Sequence, residues 1–190
     1  MENHGHDEDP ACAVAHSAHE PHQARNLQTG NAGEPGPADR VLVAVFASPV
    51  AGYLLRYGAD LGYRGLLLEP DQARACAASA LGFPVISQVP DDLDDAADVV
   101  LTDHHRGELG PILRDALTTK ARWIGIMGNP RHEGPHLAAL TALGVAAADI
   151  ARVHRPIGLN IGSRTPPEIA VATLAGLLAD RNARPGGFEF

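Results

Sequence analysis

At 190 residues the chain has room for one ordinary domain, and its 45% hydrophobic content suffices for a packed core, so a second full domain is not expected. The formal charge of −8 is uneven: residues 1–39 hold seven acids and one Arg, leaving 16 acids and 14 bases beyond, too near neutral for the basic face that nucleic-acid binding requires. No stretch reaches the roughly 18 unbroken apolar residues of a membrane span, and the acidic start lacks the basic and apolar regions of a secretion signal, so a soluble, cytoplasmic protein with no membrane association is expected.

Residues 1–39 carry His4, His6, His16, His19 and His22 among Gly, Pro and Asn. So few large apolar side chains cannot offset ordering entropy, and a disordered acidic tail is expected. Neutral imidazoles suit zinc, nickel or copper, so the tail reads either as metal capture or as a solvated segment. Cys12 and Cys76 form no disulfide framework or metal-type spacing, which fits a reducing compartment.

From Arg40 the pattern changes. Val41-Leu42-Val43-Ala44-Val45-Phe46 is a continuous apolar run of strand length, as in a parallel strand buried on both faces. Val50, Leu54, Tyr57 and Leu61 follow at helical spacing, and Gly62 stops the helix. A strand over 65–69, a helix over 72–80, a short strand over 83–86 and an acidic turn at 91–95 come next. Val99 to Thr102 reads as a fourth strand, followed by a helix over 108–117 and a strand over 123–127. A helix over 131–143 and a strand over 150–153 lead to the Gly-rich loop 157–162. Thr165, Pro166 and Glu168 form the N-cap, first position and third position of a capping box opening a last helix through Leu178; Arg181 beyond it is expected on the surface. The whole predicts an α/β domain over 40–182, a Rossmann-like, doubly wound, mainly parallel sheet with helices on both faces, followed by a flexible end over 183–190.

Ligands in such sheets sit at the carboxyl ends of the strands. Four stretches reach that edge. Phe46-Ala47-Ser48-Pro49-Val50-Ala51 stands where a dinucleotide binder has G-x-G-x-x-G, with all three glycines missing, so NAD(P) is not the expected cofactor although Glu69, 23 residues on, matches the ribose-binding acid. Ser48 and Glu69 remain candidate contacts. Thr102-Asp103-His104-His105 offers Asp103 and His104 as polar ligands of a bound molecule, or a plain loop before a helix; two adjacent histidines are expected to face different ways. Gly128-Asn129-Pro130-Arg131 offers amides and a guanidinium for an anion, or a simple helix start. His132-Glu133-Gly134-Pro135-His136 spells a zinc-protease string, but Gly134 and Pro135 spoil the helix it needs, and no metal site is expected. Gly158, Asn160 and Gly162 form the fourth candidate, a loop for close approach of a ligand or a turn.

Ile124-Gly125-Ile126-Met127-Gly128, Leu143-Gly144, the string from Pro156 to Gly162 and Thr165-Pro166-Pro167-Glu168-Ile169-Ala170-Val171 together resemble the C-terminal Rossmann half of the XdhC/CoxI family over about residues 40–180. These are accessory proteins for molybdenum hydroxylases of the xanthine dehydrogenase and carbon monoxide dehydrogenase type. The resemblance implies binding of molybdenum cofactor (molybdopterin) and its delivery to the apo-enzyme, with the apo-hydroxylase and cofactor-maturation proteins as partners and a homodimer among the open assembly states. It places the anion-binding turn on Gly128, Asn129 and Arg131 and the late loop on Gly158, Asn160 and Gly162. The family's G-A-G-H-V string is Phe46-Ala47-Ser48-Pro49-Val50 here, and its T-H-D-H-like turn is Thr102-Asp103-His104-His105. Longer members carry an N-terminal domain where residues 1–39 stand in this chain. With no convincing catalytic constellation, the expectation is a non-catalytic accessory protein, the alternatives being an NAD(P)-dependent oxidoreductase and a ligand-free interaction partner with a decayed nucleotide site.

Overall fold

The computed structural model describes residues 40–128 and 131–187; the acidic segment 1–39, Asn129, Pro130 and residues 188–190 lie outside them. Six strands, β1 (Val41–Val45), β2 (Arg64–Leu68), β3 (Val85–Ile86), β4 (Ala97–Leu101), β5 (Trp123–Ile126) and β6 (Val153–His154), form one sheet in the order β3-β2-β1-β4-β5-β6. Every pairing is parallel, which is the doubly wound Rossmann arrangement. The central register sets Val43 of β1 between Leu66 of β2 and Val99 of β4.

Among the described residues six α-helices connect and cover the sheet: α1 (Pro49–Asp60), α2 (Gln72–Ala78), α3 (Leu109–Thr118), α4 (Pro135–Ala142), α5 (Ala147–Ile150) and α6 (Pro166–Arg181). Alternate strand side chains point to opposite faces. On one face Val43, Val45, Val99, Leu101 and Ile126 pack with Leu113 of α3 and Leu140 of α4. On the other, Leu42, Ala44, Leu67 and Val100 pack with Leu54 of α1 and Leu174 and Leu177 of α6. Burial of β1 on both faces is why its sequence is an unbroken apolar run rather than an alternating one.

One strand position breaks that rule. Asp98 of β4 is fully buried and is matched by three donors: the Tyr63 hydroxyl at 2.9 Å, Arg122 at 2.9 Å and Arg181 at 3.0 Å. Arg122 also pairs with Asp180. Burial and the neighbouring Asp98 charge push the Tyr63 phenol up to about 12. Arg181, expected on the surface, is instead a nearly buried partner of this carboxylate.

The expected elements hold with two differences. The helix predicted from Arg131 starts at Pro135, because proline disfavours helical geometry in the preceding residue, here Gly134, but is well suited to a first helical position. Ile150, read as the start of a strand, ends the short helix α5 built on Ala147 and Ala148, and the strand begins at Val153. His132 therefore precedes α4 while His136 lies inside it, so the protease-like string does not occupy one helical face. The final helix starts as predicted, with Glu168 Oε2 accepting the Thr165 N–H at 3.0 Å. Among the described residues no helix is long and apolar enough to cross a membrane.

Candidate functional site

The chain leaves β1 toward β2 and leaves β4 toward β5, so the loops after these two adjacent strands diverge and open a crevice at the carboxyl edge of the sheet. A cleft of about 620 Å³ occupies this region, within the roughly 300–1,000 Å³ typical of small-molecule sites. Its walls come from Val50 at the start of α1, Thr102 and His104 after β4, Met127 and Gly128 after β5, the loop from Pro156 to Ser163, and Ile169, Ala172 and Thr173 of α6.

The first turn is built around a residue that should not fit there. Phe46 adopts a left-handed φ of 71°, a conformation that costs a bulky residue on the order of 1–3 kcal/mol. The ring is fully buried, and the Arg106 guanidinium lies over it at 4.6 Å, so burial and the cation contact offset the backbone strain. The same Arg106 forks onto Glu69, with Nη1 to Oε2 at 3.1 Å and Nη2 to Oε1 at 2.9 Å. The Ala47 and Asp71 amides donate to the same carboxylate at 2.8 and 3.0 Å. Burial alone would raise the Glu69 pKa, but the Arg106 hydrogen bonds and the two amides outweigh it and hold the carboxyl below its ordinary value. At the dinucleotide-ribose position of a Rossmann domain, the acid here is bound by the protein's own arginine.

Ser48 serves as the cap of α1, its Oγ accepting the Ala51 N–H at 3.0 Å. The hydroxyl also meets Thr102 Oγ1 at 2.8 Å, and Thr102 reaches the carbonyls of Val45 and Phe46 at 3.0 Å. These bonds stitch the first turn to the end of β4, leaving Thr102 on the cleft wall and Ser48 behind it. Asp103 Oδ1 accepts the His105 N–H at 2.9 Å and closes the turn. The rings of His104 and His105 lie together, with centroids 4.0 Å apart, against the expectation that they would diverge. Burial foremost, then the proximity of His105 and of Arg155, lowers the His104 pKa against the opposing pull of Asp103.

Gly128 lines the cleft, Asn129 lies outside the described residues, and Arg131 is exposed and does not line the cleft. Because α4 starts only at Pro135, the turn does not present helix-start amides. The guanidinium packed against Gly128 is that of Arg155: a Cβ at Gly128 would lie 2.8 Å from its Nε and 2.9 Å from its Nη2. Arg155 Nη1 is braced by the His132 carbonyl at 2.8 Å. Gly158, Asn160 and Gly162 all line the cleft. Gly158 has a φ of 81° and sits so close to α6 that an added Cβ would be 2.9 Å from the Ala172 carbonyl carbon, and Leu159 N–H donates to the Ala172 carbonyl at 2.9 Å. Close contact with the helix, rather than with a ligand, explains that glycine.

Sequence reasoning overlooked Arg106 and Arg155. The first is recognisable only as an arginine shortly after the fourth strand; the second directly precedes the Pro156-to-Gly162 string and is brought to Gly128 by the pairing of β6 with β5.

Residues 42–177 match the profile of the XdhC Rossmann domain. The chain is also 45% identical over 65 residues to an Escherichia coli (strain K12) protein, YqeB, described as uncharacterized, a match covering 34% of this chain and 12% of that one. A crystal structure of a xanthine dehydrogenase from Bacillus halodurans has a similar fold, with a TM-score of 0.59 at 19% identity over 76% of this chain and 45% of that one. The chain thus spans less than half the length of either relative.

Proposed function

This chain belongs to the XdhC family through its Rossmann domain, and from that premise we propose that it is an accessory protein that binds molybdenum cofactor and hands it to an apo-hydroxylase of the xanthine dehydrogenase type. The observation that carries the reading is the cleft at the switch point of the sheet, open on the β4–β5 side while the first turn is filled by Phe46 and Arg106. Such a site takes a compact ligand in preference to a dinucleotide spread across both halves. The cofactor, when bound, supplies the dithiolene ligands of the hydroxylase's metal.

The residues fit a flat heterocycle with an anionic arm. Ile157, Leu159 and Met127 give the cleft apolar walls, Ile161 stands at its rim with 54% of its surface exposed, and Asn160 and Ser163 add polar groups. The anionic arm is directed to the Gly128 end, where the Arg155 guanidinium packs on Gly128 behind the cleft wall, not lining it, and Arg131 lies exposed. The Gly158–Gly162 loop covers the ring. NAD(P) is excluded from this reading because Glu69 is already committed to Arg106, and a ribose would have to displace a buried ion pair.

A charge-assisted hydrogen bond contributes about 1.5–3 kcal/mol. Arg155→Ala is therefore expected to weaken binding of neopterin phosphate, a pterin bearing a phosphomonoester, by about tenfold or more, measured by fluorescence titration of the full chain. Arg64→Ala, at the exposed start of β2, should leave the affinity unchanged, and NAD should not compete. Equal affinities for wild type and Arg155→Ala would remove the anion role from this end of the cleft.

A further inference from the structure

The His132-Glu133-Gly134-Pro135-His136 string does not occupy one helical face, yet His132, Gly134 and His136 gather at Arg155. The His132 carbonyl accepts a hydrogen bond from Arg155 Nη1 at 2.8 Å. At Gly134 an added Cβ would lie 3.2 Å from Arg155 Cδ and only 2.3 and 2.4 Å from Cε1 and Nδ1 of His136. The arginine stem and the imidazole thus fill the place where a side chain would stand. His136 is 5% exposed, and close-packed surroundings leave its ring little room to give way. The far end of the same arginine packs on Gly128, a residue of the cleft wall.

Neither glycine is required by its backbone. Gly134 has a φ of −74° and a ψ of 123°, an extended conformation open to any residue and the one favoured before proline. Gly128 likewise lacks a positive φ. Space is the reason for both: Gly134 receives the stem of Arg155, and Gly128 receives its guanidinium. A long side chain held at its stem and its tip has given up rotamer freedom before a ligand arrives, so less affinity is lost in ordering it.

We infer that the 132–136 string is a seat for Arg155, and that Gly134 is a positioning residue for recognition of the anionic arm, because it keeps open the space in which the guanidinium is set against Gly128. This role rests on the reading of Arg155 as the counter-charge of that arm and adds the reason for its placement. An alanine at 134 would displace the stem or lift the seat away from Arg155. Either way the guanidinium leaves Gly128, while the apolar cleft walls of Ile157 and Leu159, which belong to another segment, stay in place.

The test compares two ligands on the full chain by fluorescence titration: neopterin phosphate, and neopterin, which has the same ring and lacks the phosphate. Wild type should prefer the phosphate form by about tenfold or more, as expected of a charge-assisted contact. Gly134→Ala is expected to reduce that preference to about threefold or less while binding neopterin within about twofold of wild type. In an Arg155→Ala background the same substitution should change neither affinity further, since residues that act through one contact are not additive. His136→Ala, which empties one side of the seat without adding an atom, should reduce the same preference and serves if Gly134→Ala does not fold. An undiminished preference in the folded variant, an equal loss for the two ligands, or losses that add to those of Arg155→Ala would overturn the role of the seat. A phosphate preference that survives Arg155→Ala would instead overturn the reading of Arg155 on which this role depends, and a wild-type chain that binds neither ligand would overturn the cleft as the site.

Discussion

Arg106→Ala is expected to lower the unfolding free energy by about 3–5 kcal/mol, because it strands the Glu69 carboxylate in the interior without its counter-charge. Glu69 is 1% exposed, and the side chain of Arg106 only 10%, so water cannot replace the lost partner. The same substitution removes the cation that covers the Phe46 ring and leaves the left-handed backbone at that residue less well supported. Urea denaturation at neutral pH measures the effect. Replacing the pair together, Glu69→Gln with Arg106→Met, should restore part of the loss, since no charge is left stranded and the amide oxygen can still accept from one of the Ala47 and Asp71 N–H groups. The pH dependence has a definite sign. The folded-state pKa of Glu69 lies below its ordinary value, so the stabilisation is present above the unfolded carboxylate pKa of about 4.3 and is lost as the pH falls through the folded value. The gap between wild type and Arg106→Ala should therefore be full at pH 7 and shrink under acid. A loss below about 1 kcal/mol at pH 7 would mean that the pair is no more than a surface contact.

Gly158→Ala is expected to cost about 2–4 kcal/mol and to weaken neopterin phosphate binding more than tenfold. A side chain at a left-handed φ and a forced contact with packed atoms each cost on the order of 1–3 kcal/mol. Here the φ is 81°, and the added Cβ would meet the carbonyl carbon and oxygen of Ala172 and the nitrogen of Thr173 at 2.9–3.0 Å. These are backbone atoms of α6 and cannot rotate away, so the loop itself must lift. Since that loop forms one wall of the cleft, stability and binding should fall together. Gly162→Ala is the comparison: its φ is 69°, but nothing lies within 4 Å of the added Cβ, so only the backbone strain of about 1 kcal/mol applies. Thermal unfolding of the two variants, paired with the titration, separates contact from conformation; equal losses would show that the approach to α6 does not matter.

What the sequence revealed and what it concealed divide along physical lines. β1, β4 and β5 were legible because a strand buried on both faces is apolar along most of its length, Asp98 of β4 being the exception, and α6 because a capping box and a leading proline act locally. The delayed start of α4 was also local: Gly134 and Pro135, already read as spoiling a helix across residues 132–136, set its first turn. The site was legible as a set of loops: three of the four expected stretches supply Thr102, His104, Gly128, Gly158, Asn160 and Gly162 to one cleft, and the first contributes Val50. Hidden were the contacts that depend on distant segments meeting. The closure of the first turn needs Arg106, 37 residues from Glu69, and Arg181 reaches Asp98 across 83 residues. No spacing rule links such pairs, so an arginine bound for a buried carboxylate reads like any surface arginine.

The central claim, that the cleft holds molybdenum cofactor for delivery, is tested most directly by the molybdenum and pterin content of the full chain purified from cells that make the cofactor in excess. The account predicts both in near-stoichiometric amount in the wild-type protein and a marked loss of both in Arg155→Ala, with Ile161→Ala at the rim and Arg131→Ala outside the cleft losing less. A wild-type chain that carries neither molybdenum nor pterin under those conditions would contradict it.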